Sequence, residues 1–138
     1  MPTVSLDEGR TVVERGLSAV KEIRAAAVLT NAYVAADTIE AGNYKKIIVY
    51  VDFTKGSLTS LDIKAEWADT PGGTFRAEPT ESNNAGVITS FNTTWNYTAD
   101  ANRPIKLSVQ DRFLKISAIG NGTLTGSSLT LTAKGAND

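Results

Sequence analysis

The segment at residues 58–68 restricts the possible folds more than any other stretch, because apolar and polar side chains alternate along it. The two sets are Leu61, Ile63, Ala65 and Trp67 on one side and Asp62, Lys64 and Glu66 on the other. Successive side chains of a β-strand point to opposite faces of a sheet, whereas a helix would mix the two sets. The pattern predicts a strand with one face in a core and the other in solvent.

Further segments rich in Thr, Val, Ile and aromatic residues recur about every ten residues, which is typical of an all-β chain. We predict strands at 26–36, 45–53, 58–68, 75–78, 87–98, 105–109, 112–119 and 124–134. Turn residues separate them, including a polar loop at 81–86 and an Asn-Gly hairpin turn at 120–122. Short strands with no helix between them favour an antiparallel β-sandwich of jelly-roll-like form over a parallel α/β sheet.

The first 24 residues have a different character. Val13, Leu17 and Val20 follow helical spacing, while the run at 11–13 is equally compatible with a short strand. We therefore predict an N-terminal arm at residues 1–24, helical or extended, followed by a β-sandwich domain at 25–138. No apolar run precedes Arg15, so we expect no signal peptide, and no run is long enough to span a membrane.

Composition removes several classes of chemistry. The 138-residue chain has no His and no Cys, so it lacks the commonest general base, the commonest metal ligand and any thiol nucleophile. Its net charge of -1 provides no electrostatic basis for binding nucleic acid or an anionic membrane. We expect a non-enzymatic protein with no catalytic residue, no cofactor and no bound metal. A weak calcium site is the one alternative to the absence of metal that the composition leaves open.

Asp62 and Glu66 are the first candidates for a catalytic carboxylate pair. Four residues apart on one face of a strand, they are separated by about 13 Å. A glycosidase pair needs roughly 5–9.5 Å, so these two alone cannot act as one. With Lys64 between them they are interpreted as a solvated row of alternating charge, although Asp52 or Asp69 could approach either one across strands.

The tryptophan residues and Tyr97 allow two interpretations. Trp67, Trp95 and Tyr97 share strand faces with aliphatic residues, which favours a place in the core. Stacked aromatic rings also bind sugars, so a carbohydrate platform built from Trp95 and Tyr97 is the most specific ligand hypothesis that the sequence offers.

Three motifs together resemble a family of small virion proteins of tailed bacteriophages, the head auxiliary and decoration proteins. They lie at 37–52, at 55–66 and at 112–123, within a likeness that covers residues 25–134. The first is DTIEAGNYKKIIVYVD, the second KGSLTSLDIKAE, and the third RFLKIS followed by GNGT.

The resemblance implies a β-sandwich structural protein without an active site. It implies a homo-oligomer, with a trimer favoured, that contacts the major capsid protein or other virion proteins. Its location would be the virion, on the capsid surface, after assembly in the host cytoplasm. A glycan- or host-surface-binding module of a tail or head fibre is the alternative, and a small carboxylate-dependent hydrolase is a third interpretation.

Overall fold

The fold was analysed in a computed structural model, which describes residues 2–6, 17–77, 79–92 and 94–137. This part of the chain is built from strands and contains no helix, so the predicted all-β class is confirmed. Correspondingly, it holds no helix long and apolar enough to cross a bilayer.

The strands are short and follow one another closely. In chain order they are β1 (Thr3–Ser5), β2 (Lys21–Ala27), β3 (Val34–Ala35), β4 (Thr38–Glu40), β5 (Lys46–Thr54), β6 (Leu58–Ala68), β7 (Arg76–Ala77), β8 (Pro79–Asn84), β9 (Val87–Asn92), β10 (Thr94–Tyr97), β11 (Ala101–Ser108), β12 (Phe113–Gly122) and β13 (Ser128–Ala136).

Two sheets pack face to face, and a separate hairpin is inserted between β7 and β10. Sheet A has the order β1-β4-β12-β6-β10, with β3 also paired to β12 and β7 to β6. Sheet B has the order β11-β5-β13-β2, and β8 and β9 pair with each other. The predicted β-sandwich is thereby confirmed, while its jelly-roll-like form and the N-terminal arm stay predictions. One pair, β1 with β4, is parallel, and the long connection between these strands permits that direction.

The core lies between the sheets and is filled by the apolar set of each strand. Its main contributors are Ile47, Val49, Val51 and Phe53 from β5, Leu61, Ile63, Ala65 and Trp67 from β6, Leu114, Ile116 and Ala118 from β12, and Leu129, Leu131 and Ala133 from β13. Full burial of an aliphatic side chain of this size stabilises a fold by about 1.5–3 kcal/mol. Trp67 is a core residue, as its alternation predicted.

The described parts of residues 1–24 belong to the two sheets. β1 pairs with β4 in sheet A, and the side chains of Leu6 and Ile23 are buried in the common core. The boundary predicted between residues 24 and 25 falls inside β2. The alternative of helix or strand at 11–13 lies outside the described residues.

Strands occupy the turn predicted at 120–122 and most of the polar loop predicted at 81–86. At 120–122 the chain does not reverse; β12 continues to Gly122 and stays paired with β6, with a register shift between Asn121 and Gly122. Gly122 adopts a left-handed φ of 100°, which the Asn-Gly pair permits. This conformation forms a β-bulge within the strand and not a turn. At 81–86 only Ala85 and Gly86 form the turn, both with positive φ, and the preceding residues belong to β8.

Residues 26–36 do not form the single strand that was predicted. They belong to a segment that closes one side of the sandwich, with the end of β2 and the short β3 as its strands. We call residues 20–37 the closing segment. It runs along β2 at the edge of sheet B, crosses to sheet A and pairs with β12 through β3. The N–H of Asp37 donates to the carbonyl of Ile23 at 2.9 Å, which joins the two arms of this segment. Its crossing is anchored by the buried Leu29, whose N–H donates to Ser127 Oγ at 3.2 Å.

A close contact between Tyr44 and Gly135 provides a test of the packing. A Cβ on Gly135 would lie 2.3–2.6 Å from three ring carbons of Tyr44, so the buried ring would have to move. We expect Gly135→Ala to lower the free energy of unfolding by about 1–3 kcal/mol, as overpacked cores do. Chemical denaturation measures this. Gly72→Ala is the control, because a Cβ there meets no atom within 4 Å; equal stability of the two variants would contradict the packing described.

Candidate functional site

The outer face of sheet A carries the polar side chains of β6, Asp62, Lys64 and Glu66. Register places Asp62 opposite Asn96 of β10 on one side and Ile119 of β12 on the other. Four residues further along β6, Glu66 lies opposite Lys115 of β12. Cross-strand neighbours of this kind lie about 4.5–5.5 Å apart at their Cβ atoms, so their polar groups interact directly.

Asp62 is held by two asparagine side chains. Asn96 Nδ2 donates to Asp62 Oδ1 at 2.6 Å, and Asn121 Nδ2 donates to Asp62 Oδ2 at 3.0 Å. Asn121 Nδ2 also donates to Ser60 Oγ at 3.0 Å. We call Ser60, Asp62, Asn96 and Asn121 the amide cluster.

Sequence analysis had not identified Asn96 or Asn121 as site residues. The sequence predicts Asn121 in a turn and Asn96 in a strand, and neither as a binding residue. The alternation of Trp95, Asn96 and Tyr97 was the one local indication that Asn96 faces away from the core. Bringing both residues to Asp62 needs three strands in register, which no local pattern reveals.

The carboxylates do not face one another. Glu66 Oε1 lies 3.7 Å from Lys64 Nζ and 3.9 Å from Lys115 Nζ, so the predicted row of alternating charge includes these ion pairs. Partly exposed pairs of this kind contribute only about 0–1 kcal/mol. Asp52 lies in β5 of the opposite sheet and Asp69 follows the end of β6, so neither joins Asp62 or Glu66 through the strand register.

Two aromatic rings lie beside the lysines of this face. Lys64 Nζ is 4.3 Å from the ring centroid of Tyr33, and Lys115 Nζ is 4.6 Å from that of Phe75. Both distances are within the range of cation–π attraction. Burial raises the pKa of the Tyr33 hydroxyl, and the negative charge of Asp62 raises it further. The strand register agrees, because it places Tyr33 level with Ile119, the β12 neighbour of Asp62.

Trp95 and Tyr97 do not form a platform on this outer face. In β10 they lie opposite Ile63 and Leu61, whose side chains are in the core, and they are partly buried against that core. Burial raises the pKa of Tyr97, and Arg103 opposes that shift. The glycan platform hypothesised at Trp95 and Tyr97 therefore does not lie on this face, where Asn96 takes the outward position between them, and it stays a prediction.

Four large apolar side chains of the closing segment are exposed. They are Val20, Val28, Tyr33 and Val34, with exposed fractions of 54%, 54%, 40% and 47%. Isolated exposed apolar residues are common on protein surfaces, whereas contiguous apolar patches are typical of interaction surfaces. Val20 and Val28 flank β2 at the edge of sheet B, and Tyr33 and Val34 lie at sheet A. Tyr33 belongs both to this set and to the surroundings of the amide cluster.

An open groove of about 590 Å³ lies at the end of β6. Trp67 lines it together with charged side chains from three chain segments, Asp69, Arg76 and Asp111. In the described part of the chain, no group of three His, Cys, Asp or Glu side chains is arranged to hold a metal ion. The groove thus offers shape and charge but no arrangement that identifies a chemistry.

The fold and the outer face define an all-β protein of two packed sheets with a polar, aromatic-flanked surface. No family model, curated protein or solved structure matches the chain. In the structure the motifs that carry the phage resemblance lie mainly in β4 and β5, in β6, and in β12.

The effect of Asp62 on Tyr33 can be measured directly. Asp62→Asn removes a nearby negative charge that disfavours the phenolate, so we expect the pKa of Tyr33 to fall, though not to its ordinary value, because burial is the larger cause. Absorbance titration of tyrosinate, taken as the difference between each protein and its Tyr33→Phe partner, isolates this residue. Asp52→Asn, which changes a carboxylate on the opposite sheet, is the control and leaves the difference titration unchanged.

The raised pKa of Tyr33 also determines how its contribution to stability depends on pH. The folded-state pKa of Tyr33 is raised above its unfolded value. Its contribution to stability is therefore fully present below the unfolded pKa of about 10 and is lost as the pH rises through the folded pKa. A Tyr33 pKa that does not respond to Asp62→Asn would contradict the proximity of the two side chains.

Proposed function

We propose that this chain is a non-enzymatic structural protein of a bacteriophage virion, which decorates the capsid and stabilises it through contacts between subunits. The observation that supports the proposal most is that four large apolar side chains of the closing segment are exposed. The phage-like motifs supply the setting, and the two-sheet sandwich supplies a rigid body.

In the proposed mechanism, the closing segment packs against the major capsid protein or another virion protein. Burying an exposed valine contributes up to about 1.5–3 kcal/mol, so Val20 and Val28 alone provide a modest contact. Assembly of the protein as a homo-oligomer, with a trimer favoured, would link several such contacts and raise the overall avidity. The near-neutral net charge of -1 fits a protein partner better than nucleic acid.

Immunogold labelling of intact particles from the source tests the location. Antibody against this chain would label the head evenly if the protein decorates the capsid surface. Label confined to the tail or fibres would overturn the decoration proposal and favour the host-surface-binding alternative. Particles without label would overturn both.

A charge substitution tests the docking surface without disturbing the core. Val20→Asp with Val28→Asp places two carboxylates on exposed positions of the closing segment, and we expect at least about a tenfold loss of affinity for capsids that lack this protein. Cosedimentation with those capsids measures it. A deletion of residues 1–24 is less suitable, since it would remove the core side chains of Leu6 and Ile23.

The matched control adds the same charge to the opposite edge of sheet B. Asn102→Asp with Ser108→Asp changes two exposed positions of β11, and β11 and β2 form the two edges of that sheet. We expect this variant to bind capsids like the unmodified protein, with both variants unfolding cooperatively. Equal binding by the two charge variants would exclude the closing segment as the docking surface.

A further inference from the structure

The amide cluster presents a fixed set of hydrogen-bonding groups to solvent. If either asparagine amide were turned over, its oxygen would face a carboxylate oxygen at hydrogen-bond distance, so the orientation with Nδ2 toward Asp62 is determined. The carbonyl oxygens of Asn96 and Asn121 are consequently directed away from the carboxylate. Asn96 is exposed, and Asp62 and Asn121 are half-buried. The surface is therefore rich in acceptors that are already positioned.

The chemistry of these groups selects a class of ligand. A cation would have to approach Asp62 past the amide N–H groups that surround it, while an anion would be repelled by the carboxylate. Ser60 Oγ accepts from Asn121, which leaves its own hydrogen free to donate. A surface with several acceptors and a hydroxyl donor matches neutral hydroxyl groups, each of which both donates and accepts.

Tyr33 adds an apolar wall beside this polar group. Val34 of β3 pairs with Ala118, so Tyr33 is level with Ile119, which in turn lies opposite Asp62. The ring has Lys64 Nζ near one face and remains 40% exposed. The face of an aromatic ring carries partial negative charge and attracts C–H groups, and the half-buried Ile119 extends the apolar area toward Asp62.

Charges on the rest of the face do not favour an ionic ligand. Asp62 and Glu66 are negative, and Lys64 and Lys115 are positive, so these four side chains cancel. Glu66 lies within 4.0 Å of both lysines and offsets one of their two positive charges, and Asp62 supplies the second negative charge of this face. The remaining recognition comes from hydrogen bonds and the ring.

We propose that the amide cluster and Tyr33 form a binding site for a neutral saccharide on the outer face of sheet A. Adjacent hydroxyl groups of a pyranose would hydrogen-bond Asp62, Asn96 and Asn121, and the apolar C–H face of the ring would pack on Tyr33. Such a site combines a few fixed polar groups with an aromatic surface, as sites for small molecules generally do. The proposal does not depend on the capsid role and uses different residues from the Val20 and Val28 test.

NMR titration of the intact protein tests the site. The probes are neutral hexasaccharides of glucose, galactose, mannose and N-acetylglucosamine, each added to millimolar concentration. We expect at least one probe to shift the side-chain amide resonances of Asn96 and Asn121 in a saturable manner, with a dissociation constant of about 0.1–1 mM. Absence of such shifts with all four probes would overturn the proposal.

Variants distinguish saccharide binding at this site from a general affinity of the protein surface for sugar. Tyr33→Ala and Asn96→Ala change exposed side chains, and each is expected to weaken binding about tenfold. Tyr33→Phe keeps the ring and should retain most of the affinity. Asn102→Ala removes an exposed asparagine from β11 of the other sheet and should bind like the unmodified protein. Saturable binding that survives both Tyr33→Ala and Asn96→Ala would place the saccharide elsewhere and overturn the assignment.

Discussion

The pairing of β6 with β12 determines both faces of sheet A. Across this pair Ile63 lies opposite Ala118 and faces the core, while Asp62 lies opposite Ile119 and faces outward. A shift of the register by one residue would turn each side chain to the other face, burying Lys64 and exposing Ile63. The cost of that exchange fixes the register. The same register positions Asn121 near Asp62, so the hydrophobic alternation that forms the core also builds the amide cluster.

The local alternation of apolar and polar residues predicted the structure correctly wherever one face of a strand is buried. It predicted β6 over 58–68 and Trp67 in the core, and it placed Trp95 correctly in its favoured interpretation. It failed at 120–122, since an Asn-Gly pair suits a bulge within a strand as well as a turn. The local pattern could not predict the partners of Asp62, because Asn96 and Asn121 are 34 and 59 residues away in sequence. The phage setting stays a prediction, carried by strand and turn motifs that many sandwiches share.

The strand register gives neither Asp62 nor Glu66 an acidic neighbour across the described strands. A carboxylate-dependent hydrolase would need a second acidic group near Asp62 or Glu66. Across the described strands those positions are taken by Asn96 and Lys115 instead. Two amide donors thereby hold Asp62 in one orientation, so that it presents a defined surface, while Glu66 is flanked by two lysines. A site of that kind requires neither His nor Cys, and a chain without either residue can build it.

Tyr33 joins the two surfaces on which the proposals rest. It belongs to the closing segment, with Val28 and Val34 nearby in sequence, yet its ring lies over Lys64 on the outer face of sheet A. If the closing segment docked so deeply that Tyr33 was covered, the amide cluster would lose its apolar wall and could not bind a sugar in that state. If docking used Val20 and Val28 at the sheet B side alone, the outer face of sheet A would remain open on the assembled particle. The exposure of Tyr33 in the bound state therefore decides whether attachment and saccharide binding exclude each other or occur together.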